Sequence, residues 1–254
     1  MPQYTVPHYI EKEKLDSPVL LYLWDDTQVI ASLKYDTSDL IEKLESTSLR
    51  AKTVLAIGIY EWIIWRYHLV YDDPIPVRID EASWCAAIDK RYIQYVELVR
   101  SEYTGPIKGP LWVASMNLVD MFYVTPEGKN QWRMSIHYLS RVAMHILPDT
   151  KPFEQWLDCV TDRLLRLYPE PEDNPFEDLF NNHEEERRGP LVAREALDPS
   201  FDYHPDQAPE LLDNFLRNID HMANPFLRSP EELMELGIEH PYRVLPPESP
   251  EWRK

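Results

Sequence analysis

The sequence predicts an all-α fold: a multi-helix globular bundle with a proline-rich, acidic, partly irregular C-terminal segment packed on it. Apolar residues recur every three to four positions over several long stretches, which is the spacing of one face of an α-helix. The 254 residues include only 6 glycines, too few for glycine-rich phosphate loops or arrays of tight hairpins. Of the 23 prolines, 13 lie in residues 169–254. We therefore predict a helical core domain over 1–168 and an extension with two short helices over 169–254.

The first part of the chain gives one ambiguous element and one clear element. In residues 15–35, two short apolar runs flank a polar Asp25–Gln28 stretch, so either a short hairpin or two helical turns fits, and we favour the helical turns. A helix is predicted over 38–71, with a break near 46–48. Its stretch over 54–65 is apolar nearly all round, as expected for a central helix enclosed by others.

A third helix is predicted over 81–102, because apolar residues there follow one helical face. Two Gly-Pro pairs, Gly105-Pro106 and Gly109-Pro110, follow within six residues and predict a shaped loop. Another buried helix is predicted over 111–124, ending before Pro126.

The two clearest helices are predicted over 131–147 and 153–167, where the apolar residues follow the i, i+3, i+4, i+7 pattern. Pro148 ends the first of them. Pro152 stands at the start of the second, where a missing backbone N–H costs nothing.

Beyond Tyr168 the periodicity weakens, and residues 174–209 are predicted to be extended chain wrapped on the core. A helix is predicted over 211–222, with Met222 on its apolar face. A second begins at Ser229-Pro230-Glu231-Glu232, which combines an N-cap serine, a proline at the first helical position and the glutamate of a capping box.

The charge of the chain restricts its partners. The formal net charge is −18, of which −5 falls in residues 1–168 and −13 in residues 169–254. A chain this acidic repels nucleic acid and anionic lipid and favours a basic protein partner.

The cysteines and the apolar runs indicate the compartment. Cys85 and Cys159 both lie in predicted helices and are expected to be buried, which suits a reducing compartment. The N-terminal residues lack the apolar core of a signal peptide, and the run over 54–65 is too short and too polar to span a membrane. A cytoplasmic location with no membrane partner is expected.

The most organised polar feature is a row of cations spaced four residues apart on one predicted helix: Arg133, His137, Arg141 and His145. Such a row can bind an anion or the carboxylates of a partner, and the histidines would add pH sensitivity. The alternatives are a row of ion pairs with the chain's own acidic C-terminal segment and an ordinary solvated helix face.

Two other residues are candidates for chemistry. Glu61 is a carboxylate in an otherwise apolar helix, so it is either a general acid or base with a raised pKa or an ion-pair partner of its neighbours. His204 precedes Pro205-Asp206 but has no second histidine nearby. No metal site and no cofactor are predicted, because the histidines and cysteines show none of the spacings of zinc motifs and no phosphate-binding loop occurs.

These patterns predict a non-enzymatic binding protein that recognises a basic partner, specifically an immunity protein or antitoxin that neutralises a cognate toxin. The predicted partner-binding residues are Glu184, Glu185 and Glu186 together with the row on the helix over 131–147. One alternative is an all-α hydrolase or transferase whose site assembles from Glu61, His137, Arg141 and His204. A further alternative is an adaptor, a chaperone or a structural subunit of an assembly.

Overall fold

A computed structural model describes residues 5–10, 15, 17–123, 131–171 and 188–245, and in these residues all regular secondary structure is helical. The predicted all-α fold is confirmed. We number the α-helices in chain order: α1 Val29–Ser32, α2 Ser38–Leu44, α3 Leu49–Arg66, α4 Ile75–Ile88, α5 Gly105–Val119, α6 Gln131–Ile146, α7 Lys151–Leu167, α8 Ala208–Asn218 and α9 Pro230–Glu235.

Helix α3 is the centre of the bundle, as its apolar sequence predicts. Nearly every side chain from Arg50 to Arg66 is buried, and α4, α5, α6 and α7 all pack against it. The predicted break before it is present, because α2 ends at Leu44 and the hydroxyl of Ser48 caps α3 by accepting from the Ala51 N–H. The helix ends at Arg66, five residues earlier than predicted.

The prediction of a helix over 81–102 was wrong at both ends, since α4 spans Ile75–Ile88. The acidic pair before Pro74 starts this helix, because the Asp73 carboxylate accepts from the Ile75 N–H at 2.9 Å. At the other end, residues 92–94 bond to a distant part of the chain. Gln94 N–H donates to Phe226 C=O at 2.7 Å, and Arg228 N–H donates to Tyr92 C=O at 3.0 Å. These tertiary bonds replace the helical ones that local periodicity predicted.

The predicted loop of Gly-Pro pairs was also wrong, because both pairs belong to α5, which starts at Gly105 and ends at Val119. Pro106 occupies the first turn, where its missing N–H is harmless. Pro110 lies inside the helix and cannot donate to the Pro106 C=O. That carbonyl lies instead within hydrogen-bond reach of the Tyr22 and Tyr67 hydroxyls, which compensates for the lost bond.

The ambiguous residues 15–35 form neither a hairpin nor two full helical turns. Leu15 is helical, and among the described residues 17–35 the only regular element is α1, four residues long. The chain over 17–24 is irregular and is held by α3, because Arg66 donates to the carbonyls of Ser17 at 2.7 Å and Val19 at 2.9 Å.

The described C-terminal residues 188–245 share one hydrophobic core with the helices. Leu197 packs over Gly58 of α3, and its carbonyl accepts from the Trp156 indole N–H at 2.8 Å. The predicted capping box is present at Ser229, where α9 begins. Helix α8 ends at Asn218, so Met222 lies outside it and is 83% exposed, contrary to the predicted apolar face.

Two other expectations can be compared with the structure. Cys85 is buried as predicted, whereas Cys159 lies on the outer face of α7 and is exposed. Within the described ranges, no helix combines the length and the apolar character that a membrane span requires.

Candidate functional site

Within the described residues, the cationic row on α6 contacts the N-terminal part of the chain. Arg133 forms an ion pair with Glu45 just after α2, with 2.5 Å between Nη1 and Oε1. His145, in the last turn of α6, donates from Nε2 to the Leu23 carbonyl at 2.8 Å. Its ring also packs against Tyr22 and Trp24, with centroid distances of 5.4 and 6.1 Å.

His137 and Arg141 form the middle of this row. Arg141 Nη1 donates to His137 Nε2 at 3.0 Å, so this nitrogen carries no proton, and Nδ1–H donates to the Thr37 hydroxyl at 2.7 Å. Burial and the Arg141 charge lower the pKa of His137, while Asp36 acts in the opposite direction. The imidazole is therefore held neutral between a cation and a hydroxyl.

Glu61 is fully buried, and its partners come from two distant parts of the chain. Its Oε1 accepts from the Trp84 indole N–H at 3.0 Å and lies 2.5 Å from Arg194 Nη2. Arg194 belongs to a short 3₁₀ helix in the C-terminal segment, Arg194–Leu197. Burial raises the pKa of Glu61, and the Arg194 charge and the Trp84 N–H oppose that shift.

A second buried carboxyl, Asp80 on α4, lies in the field of the same arginine. Burial raises its pKa well above the usual value, and Arg194 counteracts this. Burial alone would lower the pKa of Arg194, but Glu61 and Asp80 together raise it. Two carboxyls and one guanidinium thus share an interior site, and the arginine ties the C-terminal segment to the core. Trp84 and Arg194 also line a cavity of about 270 Å³ that Leu211 and Phe215 of α8 close on the outside.

The structure does not assemble the four candidates for an enzyme site. His137 and Arg141 contact each other, whereas Glu61 contacts Trp84 and Arg194. His204 is largely exposed and lies 3.8 Å from the exposed Asp202. Glu184, Glu185 and Glu186 lie outside the described residues.

The chain matches no protein-family model, no curated protein and no solved structure at a significant level. Its function therefore has to be argued from its own residues. In the part of the chain that the structure describes, no group of three or more His, Cys, Asp and Glu side chains could hold a metal ion.

A cleft of about 700 Å³ lies between the end of α3 and the start of α4. Aromatic rings from Trp65, Tyr67 and Tyr71 line it, together with three carboxylates and one guanidinium: Asp72, Asp73, Glu81 and Arg78. Sequence reasoning missed this site because Asp72-Asp73-Pro74 looks like a simple helix stop. The aromatic residues on either side of that acidic pair were the available signal.

The exposed surface is strongly acidic. Among the described residues, nineteen Asp and Glu side chains are exposed, against six Lys and Arg side chains: Lys34, Lys90, Lys108, Lys151, Arg166 and Arg217. The other described cations are partly or fully buried, as the ion pairs of Arg133 and Arg194 illustrate.

One acidic surface is formed by residues from separate elements around Tyr35, and we call it the Tyr35 surface. Asp36 precedes α2 and Asp39 lies in its first turn, whereas Glu154 and Asp158 belong to α7, and all four carboxylates interact electrostatically with Tyr35. Burial raises the pKa of Tyr35, and all four carboxylates raise it further. The Tyr35 ring lies in the electrostatic field of four carboxylates, of which Asp36, Asp39 and Asp158 are exposed, and such a ring can receive a cationic side chain.

Proposed function

We propose that this protein is a non-enzymatic, cytoplasmic binding protein that recognises a basic protein partner, and specifically an immunity protein that occludes a cognate toxin. The observation that carries the proposal is that acidic and basic side chains differ in their exposure in the described structure. Most of the described lysines and arginines are at least partly buried, as in the Arg133–Glu45 pair, whereas most of the described carboxylates are exposed.

The cationic row illustrates this difference. If it bound a partner's carboxylates, its side chains would stand free on α6. Instead, Arg133, His137 and His145 contact Glu45, Thr37 and Leu23 of the N-terminal part. These contacts support a structural role for the row. We therefore propose that exposed carboxylates, and not this row, form the surface that contacts the partner.

The Tyr35 surface supplies the charge pattern that a basic partner requires. Carboxylates from α2 and α7 are fixed on rigid helices, so they are positioned before the partner arrives. Surface charges of one sign accelerate encounter with an oppositely charged protein and make the association rate depend on salt. Rapid capture suits a protein that has to neutralise a toxin within the cell that produces it.

Affinity capture from the native cell lysate at low and high salt tests the proposal. The expected result is one stoichiometric basic protein that elutes as the salt concentration rises, identified by mass spectrometry. Absence of any partner at either salt concentration would contradict it, as would a partner retained equally at all salt concentrations.

Charge reversal then locates the contact. In the Asp39→Lys, Asp158→Lys double variant, association with the captured partner should slow about tenfold at low salt and much less at high salt, because Debye screening removes the steering. The matched control is Asp202→Lys, Asp206→Lys, which changes the net charge equally at exposed positions of the C-terminal segment. Equal slowing in both variants would contradict a contact at the Tyr35 surface.

A second candidate function is that of an adaptor or subunit of an assembly. It is favoured by alternating exposed apolar residues in the segment 17–24: Val19 is 58% exposed, Leu21 72% and Leu23 89%. Exposed apolar rows of this kind mark protein–protein contacts. Light scattering on the purified chain tests the subunit form of this candidate, because a monomer at high concentration contradicts a self-assembling subunit.

A further inference from the structure

The cleft between α3 and α4 combines the groups that recognise a guanidinium ion. Trp65 and Tyr71 supply partly exposed aromatic rings, on which planar cations can stack, whereas Tyr67 in the same lining is buried. The cleft volume of about 700 Å³ lies in the range of ligand sites. It is large enough for an arginine side chain with the backbone on either side of it.

The charge in the cleft favours a cation. Arg78 is paired with Glu81, with 2.7 Å between Nη1 and Oε2, and the Asn224 amide donates to the same carboxylate at 3.2 Å. This pair is neutral as a unit, so Asp72 and Asp73 leave the lining with a net negative charge.

Two hydrogen bonds hold the Asp73 carboxylate in place, and its negative charge affects two neighbouring tyrosines. Its Oδ2 accepts from the Tyr71 hydroxyl at 2.7 Å, and its Oδ1 accepts from the Ile75 N–H at 2.9 Å. Burial raises the pKa values of Tyr71 and Tyr103, and the negative charge of Asp73 raises both further. Asp72 beside it is exposed and can contact a ligand directly.

We propose that this cleft receives an arginine side chain of the basic partner, whose guanidinium stacks on the aromatic wall and bonds to Asp72. The inference rests on the proposed function, since it names the group by which the partner is held. It adds a second contact that is separate from the Tyr35 surface and selects for shape as well as for charge.

The test uses the full-length chain and two small probes of nearly equal shape. N-acetyl-arginine amide carries the guanidinium, whereas N-acetyl-citrulline amide replaces it with a neutral urea. Indole N–H signals in two-dimensional NMR spectra report on each tryptophan, and Trp65→Phe assigns the signal of Trp65. We expect a saturable shift of that signal with the arginine probe, and at least a tenfold weaker effect with the citrulline probe.

Two variants separate the cleft from the general acidity of the surface. Asp72→Asn should weaken binding of the arginine probe about three- to fivefold, the effect expected of one partly exposed charge contact. Asp206→Asn removes an equally exposed charge elsewhere and should leave the binding unchanged. Equal weakening by both variants, or equal binding of both probes, would overturn the proposal.

A nine-arginine peptide distinguishes failure of this inference from failure of the proposed function. If the peptide binds in a salt-dependent manner while the Trp65 signal stays fixed, the cleft assignment is wrong and the binding of basic partners stands. If the peptide does not bind at all, the electrostatic basis of both proposals fails. A Trp65 shift with the arginine probe but not with the peptide would assign the cleft to small cations and overturn its role in partner binding.

Discussion

At the scale of single residues, the most constrained groups are charged side chains inside the molecule. Glu61, Asp80 and Arg194 are brought together from α3, α4 and the C-terminal segment. The sequence indicated that Glu61 needs a polar or charged partner, because the apolar side chains around it on the helix cannot hydrogen-bond to a carboxylate. It could not indicate Arg194, which lies 133 positions away and has no spacing relation to Glu61. Pairs of this kind follow from the fold and not from any local pattern.

His137 leads to a prediction at the same scale. Its pKa is lowered in the folded state, so below a pH of about 6.5 the unfolded chain binds a proton more readily than the folded chain does. The stability that neutral His137 contributes is present above that pH and is lost as the pH falls. Between pH 7.5 and 5.5 we expect the urea midpoint to decrease, and to decrease less in His137→Gln.

His204→Gln is the matched control for that experiment, because the His204 side chain is largely exposed and its contacts with Asp202 and the Gln207 backbone are local. Its pH profile should follow that of the unmodified chain. A His137→Gln profile that coincides with both would show that His137 does not contribute to the acid sensitivity.

At the scale of elements, prediction succeeded where one face of a helix is buried and failed where distant contacts decide the ends. Helices α6 and α7 were placed within about two residues, since their apolar positions repeat regularly. The start of α4 was missed because a carboxylate followed by proline serves equally as the end of one helix and the cap of the next. The start of α5 was missed because the Pro106 carbonyl is satisfied by tyrosines 39 and 84 positions away.

Gly109 of α5 gives the prediction at this scale. A Cβ atom there would lie 2.1 Å from Trp24 Nε1 and 2.7 Å from Asp26 Oδ1. Gly109→Ala should therefore destabilise the protein by about 2 kcal/mol in urea unfolding, because overpacking outweighs the better helix propensity of alanine.

A second substitution identifies the cause of that loss. Trp24→Ala removes the closest contact of the new methyl group and leaves the one with Asp26, so Gly109→Ala should cost less stability in a Trp24→Ala background. An equal cost in both backgrounds would mean that the contact with Trp24 is not responsible.

At the scale of the whole molecule, the described C-terminal residues complete the core. Leu197, Leu212 and Leu233 are all buried in the same cluster as α3. The all-α class was predictable because composition and periodicity are properties of the whole chain. The sequence also predicted a packed C-terminal segment, but the places where this segment contacts α3 and α4 depend on the assembled surface.

The prediction at this scale concerns a fragment of residues 1–168. It lacks Arg194 and Leu197, so it would expose Glu61 and the apolar surface near Gly58. We expect it to bind a hydrophobic dye, to aggregate and to melt without a sharp transition. A soluble fragment that melts cooperatively would instead establish 1–168 as an independent domain, with the C-terminal segment as an appendage.

The way in which residues 17–24 are attached has a consequence for the order of folding. The side chains of Arg66 and His145, which lie 47 to 122 positions further along the chain, donate hydrogen bonds to backbone carbonyls of this segment. Closing loops of that length is entropically unfavourable until α3 and α6 have already packed together. This segment therefore docks late in folding and is among the first to open under native conditions. A stretch near the start of the sequence is thus fixed near the end of assembly.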